Sequence, residues 1–495
     1  MGAVAAPPVA ARYEAVIGIE IHVQLKTASK MFCGCATDIK DAPPNSRTCP
    51  VCLGLPGSLP VINRHAVELV LATGAALGAT TPEFTRWDRK NYFYPDLPKG
   101  YQISQYDLPL AADGHLDVET SAGTLRVGIR RAHLEEDTAR LIHATDERGR
   151  RVSLVDFNRS GMPLMEVVTE PDLHSGEGAR RYAEELRLLL LAIGASDAAM
   201  EEGQMRVEAN VSLRPVGTEP FGIRTEVKNM NSFRSVERAI AFEIERQGRA
   251  LDAGETLVQE TRGWDDDRGS TYSMCSKEDS HDYRYFPEPD LPPLRADAAW
   301  LAIIADGLPE LPAARRARYR DALGLSAYDA TVLTADAAAS AIFEAALAAE
   351  PAVPPKSIAN WVIGEYLRLA NAAVAPGGSA AGSVSGAELG RLVRLVHDGA
   401  ISGTSAKTVF ERHATTGEGV DAIVEALGLT QISDRGSLLA AIDTVLAANP
   451  GTVADVRAGK AQALGFLVGQ VMKATRGQAK ADAVQALLRE RLERP

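Results

Sequence analysis

Two kinds of metal-binding residue follow one another between Ala15 and Cys52. Glu20 and His22 stand two positions apart in the run Ile17 to Leu25, whose alternating apolar and polar residues predict a strand with one polar face. Side chains two apart on a strand point the same way, at a Cα separation of roughly 7 Å, so a carboxylate and an imidazole there can converge on one ion. An edge strand that shows its polar side to water would give the same pattern.

Four of the five cysteines follow that strand within twenty residues, as the close pairs Cys33 with Cys35 and Cys49 with Cys52. Each short spacing lets two thiolates reach one ion, and the loop between the pairs can bring them together, so the pattern predicts tetrahedral Zn²⁺. Four protein ligands leave no open position, which predicts a structural brace and not a catalyst. A set of reduced thiols is the alternative, because a disulfide framework does not suit a chain this long without a secretory signal.

The composition is that of an ordinary globular chain with room for several domains. Its 495 residues are 45% hydrophobic and 24% charged, and 53 basic against 65 acidic residues leave a net charge of −12. Such a chain is not expected to coat nucleic acid, so a polyanion must be met by local basic patches. No signal peptide is evident and no apolar run approaches the roughly eighteen residues of a membrane span, so we expect a cytoplasmic protein with no membrane association.

A segment rich in both cations and rings lies between Arg86 and Asp96. Basic groups interleaved with aromatic rings suit a nucleotide or a single-stranded nucleic-acid end, because rings stack on bases and cations meet phosphates. A loop whose aromatics plug a core is the alternative.

One carboxylate, Glu166, stands inside the apolar strand-like run Leu164 to Val168. An unpaired ionised carboxylate is costly in such a setting, so Glu166 should be protonated, paired with a base such as Arg159, or bound to a metal. The acidic run Glu135 to Asp137 lies upstream and is of the kind that is usually exposed to solvent. Further on, Met205 to Arg214 and Ile223 to Lys228 alternate apolar with charged residues, as strands that floor a polar cavity or face water would do.

The composition changes after a proline-rich stretch that ends at Pro293. From about residue 296 the chain is rich in Ala and Leu at helical spacing, and residues 377 to 383 form a glycine- and serine-rich connection. Residues 451 to 495 carry eight Lys and Arg against four acids, a local excess of four positive charges that suits a polyanion or simply a solvated helix face. We expect an α/β N-terminal domain over residues 1–295 with a mixed or antiparallel sheet, an all-helical domain over 296–428 and a small helical tail over 429–495.

Six segments together resemble the GatB family, the B subunit of the aspartyl/glutamyl-tRNA amidotransferases. They are Val16 to Val23, Arg89 to Asp96, Leu134 to Asp137, Pro163 to Asp172, Met205 to Pro215 and Asp282 to Asp290. The resemblance implies a cradle-shaped catalytic domain and a tRNA-binding helical tail. It also implies ATP-dependent amidation of glutamate on tRNA(Gln) or aspartate on tRNA(Asn). In this reaction the side-chain carboxylate is phosphorylated, and ammonia displaces the phosphate. Ammonia would come from a glutaminase A subunit, with a small C subunit completing a heterotrimer.

The resemblance also assigns residues to this chemistry. A carboxylate and a triphosphate repel each other, so their reaction calls for Mg²⁺, which prefers oxygen ligands. The resemblance implies His22, Glu136 and Glu166 as ligands, with Glu20 beside them and Glu208 and Asn210 able to complete the set. Glu136 and Glu166 would thereby be catalytic. Lys90 is assigned to phosphate or to the mouth of an ammonia channel, with Arg89 and Tyr92 as further nucleotide contacts.

Two other classes of protein share some of these features. A non-catalytic tRNA-binding scaffold would use the zinc brace, the aromatic-basic segment and the basic tail, but not the converging carboxylates. A metal-dependent hydrolase would use His22 and the two glutamates, but would have less need of the basic tail.

Overall fold

A computed structural model describes residues 9–276, 283–374, 384–429, 435–457, 460–475 and 478–493. The chain divides into two compact units, Met1–Pro312 and Ala313–Pro495. Each unit has its own buried apolar residues.

The first unit is built on an eight-stranded sheet. Its strands are β1 (Tyr13–Gln24), β4 (Ala111–Thr120), β5 (Gly123–Glu136), β8 (Pro163–Thr169), β9 (Met205–Pro215), β10 (Thr225–Met230), β11 (Glu260–Asp265) and β12 (Ser270–Ser276). Their order across the sheet is β12-β11-β10-β9-β1-β8-β5-β4. Neighbouring strands pair antiparallel except for β10 and β11, which pair parallel, so the sheet is mixed.

Helices cover one face of this sheet. They are α1 (Val9–Arg12), α2 (Arg64–Ala76), α3 (Gly176–Ala192), α4 (Phe233–Asp252) and α5 (Ala298–Asp306). The long ones, α2, α3 and α4, contact strands of the sheet. The apolar side of β1 is fully buried at Ile17, Ile19 and Ile21, so burial of this alternating apolar set holds the helices on one face and leaves the polar set on the other.

Two smaller sheets accompany the large one. The first consists of β2 (Asp88–Asn91), β3 (Tyr101–Ser104) and β13 (Phe286–Pro287), in the order β13-β2-β3. The second is a hairpin of β6 (Arg140–Thr145) and β7 (Arg151–Asp156). Strand β3 contacts β5, which places the three-stranded sheet beside the acidic end of β5.

The described part of the second unit is helical. Its helices are α6 (Pro312–Asp321), α7 (Ala327–Thr334), α8 (Ala337–Ala349), α9 (Pro355–Trp361), a π-helical turn (Val362–Tyr366), α10 (Leu367–Val374), α11 (Gly386–His397), α12 (Gly403–Thr416), α13 (Val420–Leu427), α14 (Arg435–Ala448), α15 (Pro450–Arg457), α16 (Ala461–Ala474) and α17 (Ala481–Glu493). Two separate apolar clusters lie within this unit, one between Tyr319 and Val424 and one between Leu438 and Leu488.

These elements confirm the predicted fold class, an α/β part with a mixed sheet followed by helices. The alternating run at Ile17 is β1, and Ser232 caps α4 by accepting a hydrogen bond from the Ser235 amide. The three-domain division at residues 295 and 428 stays a prediction. The glycine- and serine-rich connection at 377–383 lies outside the described residues.

Helix length and apolarity bear on whether the chain could enter a membrane. Among the described residues, no single helix is long and apolar enough to cross a bilayer, although two bent helix pairs, α7 with α8 and α14 with α15, reach that length and apolarity together.

Helix α3 begins where it approaches the backbone of α4 closely, and this gives a test of the packing. A Cβ added at Gly176 would lie 2.4 Å from the carbonyl oxygen of Glu237. We expect Gly176→Ala to cost about 1–3 kcal/mol of stability, because a backbone oxygen cannot move aside as a flexible side chain can. Thermal unfolding followed by circular dichroism measures the loss.

Gly465→Ala is the matched control, because nothing lies within 4 Å of an added Cβ there and alanine favours a helix over glycine. An unchanged melting temperature in Gly176→Ala would contradict the close approach of α3 and α4.

Candidate functional site

The register of three strands gathers ionisable side chains on the polar face of the large sheet. His22 lies opposite Glu166 on β8, and Glu166 lies opposite His133 on β5. The Oε2 atom of Glu166 is 3.4 Å from Nε2 of His22 and 3.4 Å from Nε2 of His133. Glu135, two positions after His133 and on the same face of β5, places Oε1 3.5 Å from Nε2 of His22.

One ligand atom from each of His22, Glu135 and Glu166 lies within 4.8 Å of the others. We call these three residues the central cluster. Glu135 and Glu166 are buried and His22 is half-buried, so water screens their charges weakly. An imidazole and two carboxylates at this separation fit a divalent cation that accepts oxygen and nitrogen ligands.

The two carboxylates of the central cluster stabilise a positive charge beside them. Burial acts to lower the pKa of His22, but its hydrogen bond to Glu166 and the charges of Glu166 and Glu135 raise it to about 9. Burial acts to raise the pKa of Glu166, yet the facing His133 and His22 hold it well below its usual range. The two carboxylates therefore favour a positive charge at this position, which either a proton on His22 or a bound metal ion would supply.

A second group of carboxylates lies beside the first on the same face. Oxygens of Glu20, Glu208 and Glu226 lie within 4.8 Å of one another. Burial raises the pKa of Glu20, and the charges of Glu166, Glu208 and Glu226 raise it further. The ammonium of Lys228 offsets part of this charge, at 3.0 Å from Glu208 and 3.4 Å from Glu226.

Asn210 is also placed in this second group. Its Nδ2 donates a hydrogen bond of 2.9 Å to Oε1 of Glu20. The structure thus brings Glu20, Glu208 and Asn210 together, as a group adjacent to the central cluster and not as part of it.

Glu136 does not join the central cluster. It follows Glu135 directly on β5, so its side chain leaves the opposite face of the strand. There it forms an ion pair with Lys99 and accepts a hydrogen bond of 3.0 Å from the Ile103 amide. The Gln102 side chain donates to the Glu136 carbonyl at 2.8 Å. The geometry favours Glu135 over Glu136 at the cluster, and metal ligation by either residue stays a prediction.

The contacts of Glu136 join β3 to β5, and we call them the β3–β5 clamp: the Lys99–Glu136 ion pair and the hydrogen bonds from Ile103 and Gln102. Strand β2 pairs with β3, with Lys90 opposite Gln102. The clamp therefore determines where Lys90 lies relative to the central cluster.

Lys90 faces the two clustered carboxylates. Burial acts to lower the pKa of its ammonium, but the charge of Glu135 raises it above its ordinary value, with Glu166 adding to the effect. Its Nζ lies 5.0 Å from the centre of the Tyr283 ring, a cation–π distance. Lys90 is thus a charged ammonium held beside the cluster.

The other two residues predicted to contact a nucleotide have partners within the protein. Arg89 binds Glu288 through two hydrogen bonds of 2.7 and 2.8 Å and lies 4.1 Å above the Tyr101 ring. Tyr92 packs edge-on against Tyr283, at 6.0 Å between ring centres. Arg89 is therefore a structural link in the three-stranded sheet, and Tyr92 belongs to an aromatic group beside Lys90.

Arg159, one of the alternatives considered as a partner for Glu166, does not pair with it. Arg159 lies 3.5 Å from the buried carboxylate of Asp137 and donates to the carbonyls of Thr138 and Ala139. Asp137 also pairs with Arg206 at 3.2 Å. These cations keep the pKa of Asp137 below its usual value although burial acts to raise it.

Sequence reasoning missed His133, Glu135, Lys99 and Glu226 as members of the site. The run His133 to Asp137 carries polar groups at four of five positions, so no alternation showed which face each would take. The one available signal was parity with His133, because residues 133 and 135 share a face on any strand.

The four cysteines form a cluster of their own. The Sγ atoms of Cys33, Cys35, Cys49 and Cys52 lie within 4.8 Å of one another, and a tight turn lets the Cys49 amide donate to Cys52 Sγ at 3.1 Å. A hydrogen bond from Cys33 lowers the pKa of Cys52 to about 4. Four sulfurs at this separation, one of them favoured as thiolate, fit tetrahedral Zn²⁺.

The cysteine loops adjoin the segment that leads into β8. Ser160 donates to the Cys52 carbonyl at 3.0 Å, and the Met31 amide donates to the Gly161 carbonyl at 2.8 Å. A metal at the cysteines would therefore brace the segment before Glu166.

Two family profiles match the sequence of this chain, whose mixed sheet carries clustered carboxylates on its polar face and is followed by helices. The GatB/GatE catalytic domain family matches residues 15–302, and the GatB domain family matches residues 341–492. The chain belongs to the GatB family, the B subunits of the aspartyl/glutamyl-tRNA(Asn/Gln) amidotransferases.

Individual relatives support the assignment over nearly the whole chain. The B subunit of the aspartyl/glutamyl-tRNA(Asn/Gln) amidotransferase of Moorella thermoacetica is 52% identical over 480 residues, covering 97% of this chain and 100% of that protein. The protein of the same name from Carboxydothermus hydrogenoformans is 50% identical, covering 97% and 99%. That of Anaeromyxobacter sp. strain K is 52% identical over 483 residues, covering 97% and 99%.

The zinc prediction can be tested by elemental analysis. We expect about one zinc ion per chain in protein purified without chelator, because four thiolates satisfy its coordination. Cys49→Ser should lose the metal and lower the melting temperature, whereas Cys275→Ser, at the fifth cysteine, should keep it. Wild-type protein without zinc would remove the site.

The β3–β5 clamp separates the roles of two adjacent glutamates. Glu135→Gln should weaken Mn²⁺ binding, measured by calorimetry with Mn²⁺ as a stand-in for Mg²⁺, and leave the melting temperature nearly unchanged. Glu136→Gln should leave Mn²⁺ affinity within about twofold but cost about 3–5 kcal/mol, because the buried Lys99 ammonium loses its partner.

The paired variant Lys99→Met/Glu136→Gln is the control, because it removes both charges, keeps an acceptor for the Ile103 amide and should recover most of the stability. The opposite pattern, with Mn²⁺ binding lost in Glu136→Gln and kept in Glu135→Gln, would show that Glu136 is the ligand.

Proposed function

We propose that this chain is the amidating subunit that converts glutamate on tRNA(Gln), aspartate on tRNA(Asn), or both, to the amide at the expense of ATP. The observation that carries the proposal is the central cluster with Lys90 beside it: two buried carboxylates and an imidazole on the polar face of the large sheet, with a half-buried ammonium from the adjoining three-stranded sheet. The relatives from Moorella thermoacetica and Carboxydothermus hydrogenoformans are B subunits of the aspartyl/glutamyl-tRNA(Asn/Gln) amidotransferase.

The proposed chemistry has two steps. A side-chain carboxylate oxygen of the amino acid attached to tRNA attacks the γ-phosphorus of ATP. The bond between that phosphorus and the oxygen that bridges the β- and γ-phosphates breaks, which releases ADP. Ammonia then attacks the acyl carbon, the carbon–oxygen bond to phosphate breaks, and the nitrogen gives up a proton. The products are the amide, phosphate and ADP.

The first step brings a carboxylate to a triphosphate, so its main obstacle is charge repulsion. Bound Mg²⁺ would neutralise and align the phosphate oxygens. His22, Glu135 and Glu166 would hold one such ion, and Glu20 and Glu208 are placed to hold or orient another group. Lys90 would contact the transferring phosphate, because its ammonium is charged and faces the cluster.

A cavity at the Gln24 end of β1, lined by none of the central-cluster residues, offers room for the aminoacylated end of a tRNA. Its volume is about 920 Å³, and its lining includes Gln24, two positions after His22, together with Arg159 and Arg140. Gln24 donates to Asp137 at 3.1 Å, so the cavity wall continues the polar face of the sheet. We propose that the acyl group enters from this side.

The proposal extends to partners and to the tail. A glutaminase A subunit would supply ammonia and a small C subunit would complete the complex. The tail over 429–495 would bind tRNA with its excess of basic residues. Of these, Arg476 and Arg494 lie outside the described residues, and Arg491 pairs with Asp443 at 2.9 and 2.6 Å.

Amide formation by the assembled complex tests the reaction. The assay contains misacylated tRNA, ATP and ammonium. Glu166→Gln and Glu135→Gln should each slow amide formation on the order of 100-fold, because each removes a carboxylate that would hold the metal ion at the reacting phosphate. Glu170→Gln is the control, since that exposed carboxylate pairs with Arg130 on the surface.

Mn²⁺ binding to the same variants gives a readout that does not depend on turnover. Amide formation at the wild-type rate in both cluster variants would refute the assigned site and favour a chain that only delivers tRNA to a catalytic partner.

The tail can be tested by removal. The apolar cluster of the tail, between Leu438 and Leu488, is separate from the cluster between Tyr319 and Val424. A chain that ends near residue 430 should therefore keep the latter cluster and the core of the first unit. We expect it to bind tRNA at least tenfold more weakly, with steeper loss at higher salt, and to hydrolyse ATP in the presence of small carboxylate acceptors at an unchanged rate. Unchanged tRNA affinity would contradict the tail's role.

A further inference from the structure

Four tyrosine rings form a continuous row beside Lys90: Tyr92, Tyr283, Tyr285 and Tyr106. The first three meet edge-on at 6.0 Å between successive ring centres. The last two stack face to face, at 4.3 Å and 16° between planes. The row therefore changes from a packed arrangement at Tyr92 to a parallel stack at Tyr106.

The row borders the central cluster. Burial raises the pKa of Tyr285 to about 12, and the negative charges of Glu135 and Glu166 add to this while Lys90 opposes it. Tyr285 meets Tyr283 edge-on, and the Nζ of Lys90 lies 5.0 Å from the centre of the Tyr283 ring, so the row reaches the cluster through Lys90. The parallel stack is thus joined, through Tyr283, to the ring that contacts Lys90.

Tyr106 lies at the end of the row, and 52% of its surface is exposed to solvent. Its backbone is held firmly, because its amide donates a hydrogen bond of 3.1 Å to the buried carboxylate of Asp88. One ring face is covered by Tyr285. An exposed ring held in this way loses little conformational freedom when a second planar group stacks on it.

We propose that Tyr106, backed by Tyr285, is a stacking platform for a purine base whose attached phosphates extend towards Lys90. Every base offers a flat π-face, and stacking on an aromatic side chain strengthens binding of the base. The proposal rests on the proposed function, which supplies two adenine-bearing substrates: ATP and the terminal adenosine of a tRNA. Both share the chemistry that the platform recognises.

Other exposed rings in this region lack the features of the platform. Phe93 is 82% exposed, but it belongs to none of the ring pairs of the row, and its ring edge lies 3.1 Å from where a side chain at Gly100 would be. Phe93 also lies in the Arg86 to Asp96 segment, so the matched control is Phe84, which is 41% exposed and lies outside both that segment and the row.

Binding of two probes to the full complex tests the platform. Calorimetry would measure the Kd of ATP and of a short RNA duplex that ends in an unpaired CCA. In Tyr106→Leu we expect the Kd of one or both probes to rise about 5- to 100-fold, the range that corresponds to the loss of one stacked base. Tyr106→Phe keeps the ring and should stay within about twofold of wild type for both probes, as should Phe84→Leu.

The two probes identify the source of the base. A rise for ATP alone assigns the platform to the nucleotide, and a rise for the CCA end alone assigns it to the tRNA. If both Kd values in Tyr106→Leu stay within twofold of wild type, the platform does not exist.

A measurement on the wild-type complex avoids any effect of the substitution on folding. The triphosphate and the RNA end would be made with 2-aminopurine in place of adenine. Stacking on Tyr106 should quench the fluorescence of the bound probe severalfold, and an unquenched bound probe would overturn the proposal.

Failure of the platform and failure of the proposed function give different results. A wild-type complex that makes amide, with a Tyr106→Leu variant that binds both probes normally, refutes the platform alone. A wild-type complex that binds ATP but makes no amide refutes the function, and the platform is then decided by the Kd values.

Discussion

The register of β1 against its two neighbours is the constraint on which the site depends. Opposite His22 stands Glu166, and opposite Glu166 stands His133, so three strands deliver their titratable groups to one row. The same register buries Ile19 and Ile21 under the helices. A slip of one residue would turn the polar row into the core and the apolar row into solvent, so the hydrophobic effect that folds the sheet also assembles the site.

This arrangement concentrates negative charge where water is scarce. Two neighbouring carboxylate groups, centred on Glu166 and on Glu20, share a face, and the raised pKa values of His22 and Glu20 are consequences of that crowding. Such a surface attracts cations and repels an anionic substrate until cations are bound. The charge of Lys90 and the ion pair of Lys228 are the protein's own partial compensation.

The elements around the large sheet hold the site in place from both sides. On one side the cysteine loops bind the segment that leads into β8 and Glu166. On the other, the Lys99–Glu136 ion pair and its hydrogen bonds join the three-stranded sheet to the end of β5. Glu136 was expected to be a ligand, and in the structure its charge serves this second attachment. The row of tyrosines lies beside Lys90, whose Nζ is 5.0 Å from the centre of the Tyr283 ring.

Much of the fold could be predicted from the sequence, because local patterns of residues indicate the strands and helices. Alternation marked β1 and β9, the Ser232 cap marked the start of α4, and the change of composition near residue 296 marked the helical part. The close cysteine spacings and the isolated Glu166 also indicated where clusters of potential metal ligands would lie, since short spacing and burial act within a segment.

What the sequence by itself determined was therefore the kind of element at each place and the chemical groups available. Only the tertiary structure decided which groups meet. Glu135 and Glu136 are equivalent in sequence terms, yet one faces the cluster and the other faces Lys99, because the face of a strand depends on which neighbour it pairs with. Arg159 likewise pairs with Asp137 and not with Glu166. The physical reason is that side-chain partners are chosen by strand pairing between distant segments, and that pairing leaves no mark on either segment alone.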